Sequence, residues 1–363
     1  MRRLSIVHTE SSLGWGGQEI RILSESQGLI ARGHEVKLVT PPEARIFAEA
    51  PAWGVPRFPM PIAKKRLTGL KFLMEWLRDN PCDVVSTHSS TDSWLAALAL
   101  LALGKPYPMV RTRHISAPVP RNFLSRWLYT RAARRIVTAG EALKKELVAR
   151  NGFPAARIDS VPTGVDARRF APGDKAAARK ALNLPDGMLV GIVATLRSWK
   201  GHRYLIEALP EGASLVIVGD GPQREALEKL AAKRSRIIFA GNQQDVVAWL
   251  QALDVFALPS YANEGVPQAL LQAMLVGLPC VTTAIGSIPE LAKDGETALV
   301  VPPRDVPSLK KALERLVGDE ALRKQLGAAA RRHAEADFSY DGMLDRMEAI
   351  YASVAGIPLI RMG

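Results

Sequence analysis

Short apolar runs alternate with amphipathic stretches along the whole chain. In the first half, residues 4–7, 36–39, 83–86, 109–111, 135–138 and 158–161 are aliphatic and β-branched, and we read them as strands. Residues 188–195, 214–218, 236–239, 254–258, 279–282 and 298–301 repeat the pattern in the second half. Between them the spacing changes to the helical period, as at 18–31, 91–103, 222–233 and 268–276. Near-continuous apolar strands alternating with helices predict parallel sheets covered on both faces.

The pattern breaks once and then restarts. Residues 161–174 hold two prolines and two glycines and lead into a helical stretch at 175–182. This segment reads as the connection between two doubly wound domains, 1–164 and 165–345. Helical patterns at 307–317, 320–334 and 340–354 close the chain, and 346–363 is a candidate helix and tail for packing back on the first domain. Two α/β sheets of similar size imply a cleft facing the carboxyl ends of their strands, where such sheets bind ligands.

Composition narrows the class. At 363 residues, two cores are expected rather than one. Hydrophobic residues at 47% and charged residues at 23% exclude a disordered or fibrous protein. Two cysteines, Cys82 and Cys280, exclude a disulfide framework, and no Cys/His cluster has zinc spacing. The longest apolar run, 94–103, is short of the roughly 20 residues of a spanning helix, and the start is not a signal peptide. A cytoplasmic protein is expected, peripheral on the inner face of the membrane if the basic surface described next engages lipid.

Charge is unevenly spread. Residues 1–170 carry 26 Lys and Arg against 14 Asp and Glu, so the whole net charge of +12 lies there; residues 171–363 carry 22 of each. No acidic residue occurs from Ser93 to Gly140. Such a stripe predicts an anionic partner. Within it Phe123, Leu124, Trp127 and Leu128 fall at helical spacing. They read either as one buried stripe with arginines on its solvated face, or as part of a surface that meets anionic lipid.

Several loops after strands carry candidate chemistry. Gly14-Trp-Gly16-Gly17-Gln-Glu19 follows the first strand and opens a helix, so Gly16 and Gly17 offer backbone approach and a helix N-terminus to an anion. It is not the dinucleotide fingerprint, because Gly28 falls too late for the third glycine. Arg197 and Lys200 lie in a strand-to-helix loop, where cations clamp phosphate oxygens or simply face solvent. Glu264, Gly265 and Val266 precede a helix starting near Pro267, another anion seat. His114 and, behind it, His88 stand at strand ends, where a lone histidine is more often structural. No Gly-x-Ser-x-Gly elbow supports a hydrolase, and no Asp-x-Asp pair is present for a metal-bridged diphosphate.

As a set these residues resemble the retaining family 4 glycosyltransferases of the GT-B fold. The resemblance is carried by Glu264-Gly-Val-Pro267 with Leu271, Ala273, Met274, Gly277 and Pro279. Lys200-Gly201, Val218-Gly-Asp-Gly-Pro222, Pro162-x-Gly-Val-Asp166, Ile288-Pro-Glu290, Asp294-Gly295 and Val301-Pro-Pro303 join it in the family's order. The resemblance implies two Rossmann-like domains facing a cleft. The second would bind a UDP- or GDP-sugar through Arg197, Lys200, Gly265, Val266 and Gln272, with the Gly16/Gly17 turn of the first also stabilising the leaving diphosphate. His114 and Glu264 would act at the transferred sugar, and the first domain would take a glycan or glycolipid acceptor. The family's second glutamate is Gln272 here, its loop arginine is Thr195, and the usual asparagine before Gly-Val-Asp is Thr163.

An amide at Gln272 disfavours a glycosidase-like pair of carboxylates, whereas it can still hydrogen-bond a ribose hydroxyl. With the resemblance, transfer with retention, without metal or cofactor, to a lipid-linked or cell-envelope glycan such as lipopolysaccharide is the expected activity. A GT-B sugar-nucleotide epimerase is the alternative, and a nucleic-acid-binding protein would account for the basic stripe alone.

Overall fold

The apolar runs of the first half pair as strands β1 (Ser5–Thr9), β2 (Glu35–Thr40), β3 (Arg57–Pro59), β4 (Val84–Thr87), β5 (Met109–Arg113), β6 (Ala133–Thr138) and β7 (Ile158–Ser160). All pairings are parallel, in the order β3-β2-β1-β4-β5-β6-β7. In this computed structural model, residues 3–357 are described, apart from 233 and 235. The β3 strand was not expected. It is a three-residue edge strand ending in Pro59, too short for any periodicity.

The second sheet comprises β8 (Leu189–Val193), β9 (Ser214–Val218), β10 (Ile237–Gly241), β11 (Val255–Leu258), β12 (Cys280–Thr283) and β13 (Leu299–Val301). Its order is β10-β9-β8-β11-β12-β13, again wholly parallel. The strand order thus reverses between β1 and β4 in one sheet and between β8 and β11 in the other. Loops leaving the carboxyl ends of strands at such a switch point have no helix crossing above them, which leaves a crevice for a ligand.

The chain divides into two compact units, one built from residues before Thr163 together with those from Gly342 onward, the other from Thr163–Asp341. The boundaries expected at 164/165 and 345/346 therefore fall two and four residues earlier. The helix expected at 222–233 is the shorter Arg224–Ala231, and residue 233 lies outside the described residues. The last helix, Tyr340–Ala355, continues into the first unit, and the expected tail residues 358–363 lie outside the described residues.

In the first unit, alternating strand residues feed two apolar layers. Val7, Val39 and Val85 pack with Leu73, Leu77, Leu95 and Leu100 on one face. Leu38 packs with Ile22, Leu23 and Ile46 on the other. The last helix is pinned by polar contacts of the same unit. His34 accepts from the Leu4 amide through Nδ1 (3.1 Å), so its Nε2 carries the proton and donates to Glu348 (2.7 Å). Arg32 donates to Asp345 (2.8 Å), and the Tyr351 hydroxyl donates to Glu25 (2.8 Å). In the second unit Leu189, Val190, Ile192, Leu215, Val216, Ile217, Phe256 and Val281 form one continuous buried core with the flanking helices.

Candidate active site

In the second unit the two loops of the switch point meet. Lys200, in the short turn Ser198–Lys200 after β8, places its Nζ 2.6 Å from Oε1 of Glu264, in the loop after β11. Glu264 is buried to 3% exposure, whereas Lys200 keeps part of its surface open. A buried carboxylate needs such a partner, and Lys200 keeps two further N–H donors for a ligand. The loops are also joined by backbone, since the Tyr261 amide donates to the Trp199 carbonyl at 2.8 Å.

Two glycines make this approach possible. Gly201 has φ +79°, and a Cβ there would lie 2.1 Å from the Pro259 carbonyl oxygen. Gly286 has φ +58°, and a Cβ there would lie 2.0 Å from the carbonyl oxygen of Glu264 itself. Both positions combine left-handed backbone with a close approach, which only glycine tolerates without strain.

Past Glu264, Gly265 and Val266 are buried, and Pro267 caps the helix Gln268–Val276. Pro267 was expected within the first turn; as the cap it leaves the first helical amides free to meet an anion. Gln272, one turn into the helix, is 8% exposed. Arg197 is exposed, its guanidinium 5.6 Å from the ring centroid of Trp199. Beneath Lys200 lies His202, which no sequence feature singled out. Burial, followed by the charge of Lys200, pushes it down to about 3, so it is neutral.

The first unit builds a different site at its own switch point. His114, just past β5, is nearly buried, and its Nε2 lies 3.0 Å from Nδ1 of His88, just past β4. The other nitrogen of His88 lies 2.8 Å from Nδ1 of His8, in β1. Burial above all lowers all three imidazoles, His88 and His114 furthest, with nearby Arg21 and Arg111 acting on those two in the same direction. His88 thus joins the candidate it was ranked behind, and His8 was missed. The row forms because β1, β4 and β5 are adjacent strands, a fact of sheet order that sequence spacing hides.

Beside this row, Glu10 is fully buried and accepts from the Ser12 amide and from Gln18 Nε2, each at 2.6 Å, and from the Ser89 hydroxyl. Burial, with Asp92 and Glu19 nearby, pushes it up to about 8. Asp92 accepts from the amides of His88 and Ser89, both at 2.9 Å, and burial raises it to about 6. Gly16 and Gly17 follow on the same loop. Gly17 starts the helix Gly17–Ala31, and Gly16 has φ 179°, extended backbone open to any residue, so handedness does not explain it.

The segment 123–128 departs from the buried stripe considered above. Leu128 is buried, but Phe123 is 77% exposed and Leu124 48%, at the start of the helix Phe123–Trp127, which runs directly into a π-helical turn at Leu128–Ala132. Among the described residues, no helix is long and apolar enough to cross a membrane.

Residues 15–169 match the family model described as Glycosyltransferase Family 4, and residues 187–319 that described as Glycosyl transferases group 1. The chain belongs to the family 4 glycosyltransferases. A GDP-mannose-dependent monoacylated alpha-(1-6)-phosphatidylinositol monomannoside mannosyltransferase of Corynebacterium glutamicum is 34% identical over 215 residues, 54% of this chain and 56% of that protein. The match thus spans about half the length of that relative. A 2-deoxystreptamine glucosyltransferase of Streptomyces kanamyceticus is 28% identical over 351 residues, covering 84% of this chain and 90% of that one. The solved structure of Anabaena Alr3699/HepE in complex with UDP and glucose aligns with a TM-score of 0.87 at 19% identity, covering 97% and 100%. That likeness concerns the fold: this glycosyltransferase has the GT-B architecture of two parallel-sheet units.

Proposed function

We propose that this family 4 enzyme transfers a sugar from a UDP- or GDP-sugar to a glycan or glycolipid hydroxyl with retention at the anomeric carbon. The observation that carries the reading is the Lys200–Glu264 pair at the switch point of the second unit. As the glycosidic bond breaks, negative charge grows on the diphosphate and the sugar becomes oxocarbenium-like. Lys200 and Arg197, with the amides near Gly265 and Val266, offer preorganised positive potential to that leaving group. Glu264 accepts hydroxyls of the donor sugar, Gln272 holds the ribose, and Gly16 and Gly17 give the phosphates a close backbone approach. With no second carboxylate assigned as nucleophile, attack and departure take place on one face, a phosphate oxygen removing the acceptor proton. Neither metal nor cofactor is required.

His114 contacts the transferred sugar in this reading. The acceptor is lipid-linked, of the cell envelope and of lipopolysaccharide type, met on the inner face of the membrane. Exposed Phe123 and Leu124 beside exposed Arg121, Arg126, Arg131 and Arg134 support that location. An anionic leaflet attracts such a patch by about 1 kcal/mol per basic residue.

A thermal-shift panel of UDP-, GDP-, ADP- and CMP-sugars tests the donor, since ligand at 100 times its Kd stabilises by about 2.7 kcal/mol. Release of free nucleotide, undiminished by EDTA, is the expected reaction signature. Conversion to an altered sugar nucleotide would make the enzyme an epimerase, and loss in EDTA with rescue by Mn²⁺ or Mg²⁺ would overturn the metal-free clamp. Sedimentation with anionic rather than neutral vesicles, lost in high salt, tests the membrane surface.

A further inference from the structure

The row of three imidazoles in the first unit has a direction. A neutral imidazole carries one N–H and one lone pair. His88 meets an imidazole nitrogen at each of its own, 2.8 Å from His8 and 3.0 Å from His114. It must donate to one neighbour and accept from the other, so only two arrangements satisfy both bonds. In the outward arrangement, His8 Nδ1–H donates to His88 Nε2 and His88 Nδ1–H donates to His114 Nε2, which leaves the His114 proton on Nδ1. In the inward arrangement every donor becomes an acceptor, and His8 Nε2 carries a proton.

The inner end distinguishes them. Among the described residues, His8 Nε2 is buried without a hydrogen-bond partner. A buried orphan N–H is rarer than an under-used acceptor, so the bare lone pair belongs there. Exposure rises from 0% at His8 through 4% at His88 to 9% at His114, so the row opens to ligand at His114.

We propose that His8 and His88 are positioning residues that hold His114 as a neutral imidazole with its proton on Nδ1, a hydrogen-bond donor to a substrate hydroxyl and not a base. The assignment rests on the reading that His114 touches substrate. The charged surroundings agree with a neutral row. Arg21 on the helix Gly17–Ala31 and Arg111 and Arg113 on β5 oppose protonation, while Glu25 on that helix favours it at His8. The ring edge of Tyr351, 6.2 Å between centroids, covers His8 from the last helix, and Asp92 accepts the His88 amide.

The test reads tautomers directly, by ¹H–¹⁵N correlation of ¹⁵N-histidine in the full chain from pH 6 to 8. Expected is the Nδ1–H form at all three residues. His8→Asn keeps an amide N–H where Nδ1 was and should preserve the Nδ1–H form at His114. His8→Asp presents an acceptor where Nδ1–H was, so His88 must donate from Nε2 and His114 should gain the Nε2–H form, with kcat reduced roughly tenfold, the scale of lost outer-shell partners, and KM for the donor little changed. A purely structural role would lower the Tm of both variants alike and leave the His114 tautomer unchanged. An Nε2–H form at His114 in the wild type overturns the lock. Wild-type transfer by His114→Ala overturns instead the substrate contact on which it rests.

Discussion

The two units reverse strand order in the same way, but each furnishes its own switch-point crevice with opposite chemistry. In the second unit a carboxylate is buried and paired with Lys200 at 2.6 Å, on loops brought together by Gly201 and Gly286. In the first, histidines and a carboxyl are buried and lose their charge instead: three lowered imidazoles beside a raised Glu10. Burying an ionisable group forces one of these two outcomes, pairing or neutralisation. A paired site keeps a net dipole that can be redirected to a diphosphate. A neutralised site supplies directional hydrogen bonds to hydroxyls. One topology thus supports two kinds of chemistry, because the chemistry resides in the loops and not in the sheet.

The comparison breaks most visibly at the ion pair. Lys200→Ala and Glu264→Ala are each expected to reduce transfer ~10²–10³-fold, the usual effect of losing one preorganised charge stabiliser. Lys200→Ala should also destabilise the fold, because it leaves Glu264 buried without its cation. A Lys200→Met/Glu264→Leu double variant then separates the effects: chemical denaturation should show stability recovering toward wild type while transfer stays lost. If both single variants turn over normally, the charged half of the comparison is wrong.

The next effect is steric. Gly286→Ala puts a methyl group 2.0 Å from the Glu264 carbonyl oxygen in left-handed backbone. A cost of about 1–3 kcal/mol is expected from such strain, with activity falling more than for Gly295→Ala. Gly295 also has positive φ, at +72°, but has open space around it. Equal effects at both positions would mean that backbone handedness alone matters and that the close approach to Glu264 does not.

These two expectations mark what the sequence already showed. Most strands were legible because buried parallel strands are near-continuous apolar runs, and Lys200 and Glu264 because their loops carry dense short-range patterns. The row of His8, His88 and His114 was not, since its members lie 80 and 26 residues apart and meet only through the order β1-β4-β5. Glu10 was silent for a similar reason: a glutamate one residue past a strand reads as solvated until the fold buries it. For Phe123 and Leu124 helical spacing left a buried stripe and an exposed surface equally open, and only the fold shows both side chains exposed.

The smallest expected effect tests the neutralised half through stability alone. Glu10 is raised from 4.5 to about 8, and Asp92 from 3.8 to about 6. Between each pair of values the folded chain holds a proton that the unfolded chain has released, so stability from these groups is fully present below about pH 4 and falls as pH rises. Asp92 contributes its loss up to about pH 6 and Glu10 up to about pH 8. Glu10→Gln fixes the neutral form and keeps an oxygen to accept from Ser12 and Ser89, while its NH2 group takes the place of the oxygen that meets Gln18, whose own amide can turn to accept from it. Its Tm should therefore lie closest to the wild type near pH 5 and exceed it increasingly toward pH 8.5, since each 1 kcal/mol corresponds to about 2–4 °C in a unit of this size. Parallel Tm curves for the two proteins from pH 5 to 8.5 would show that Glu10 is charged in the folded chain, and the contrast between a paired and a neutralised crevice would then fail at this residue.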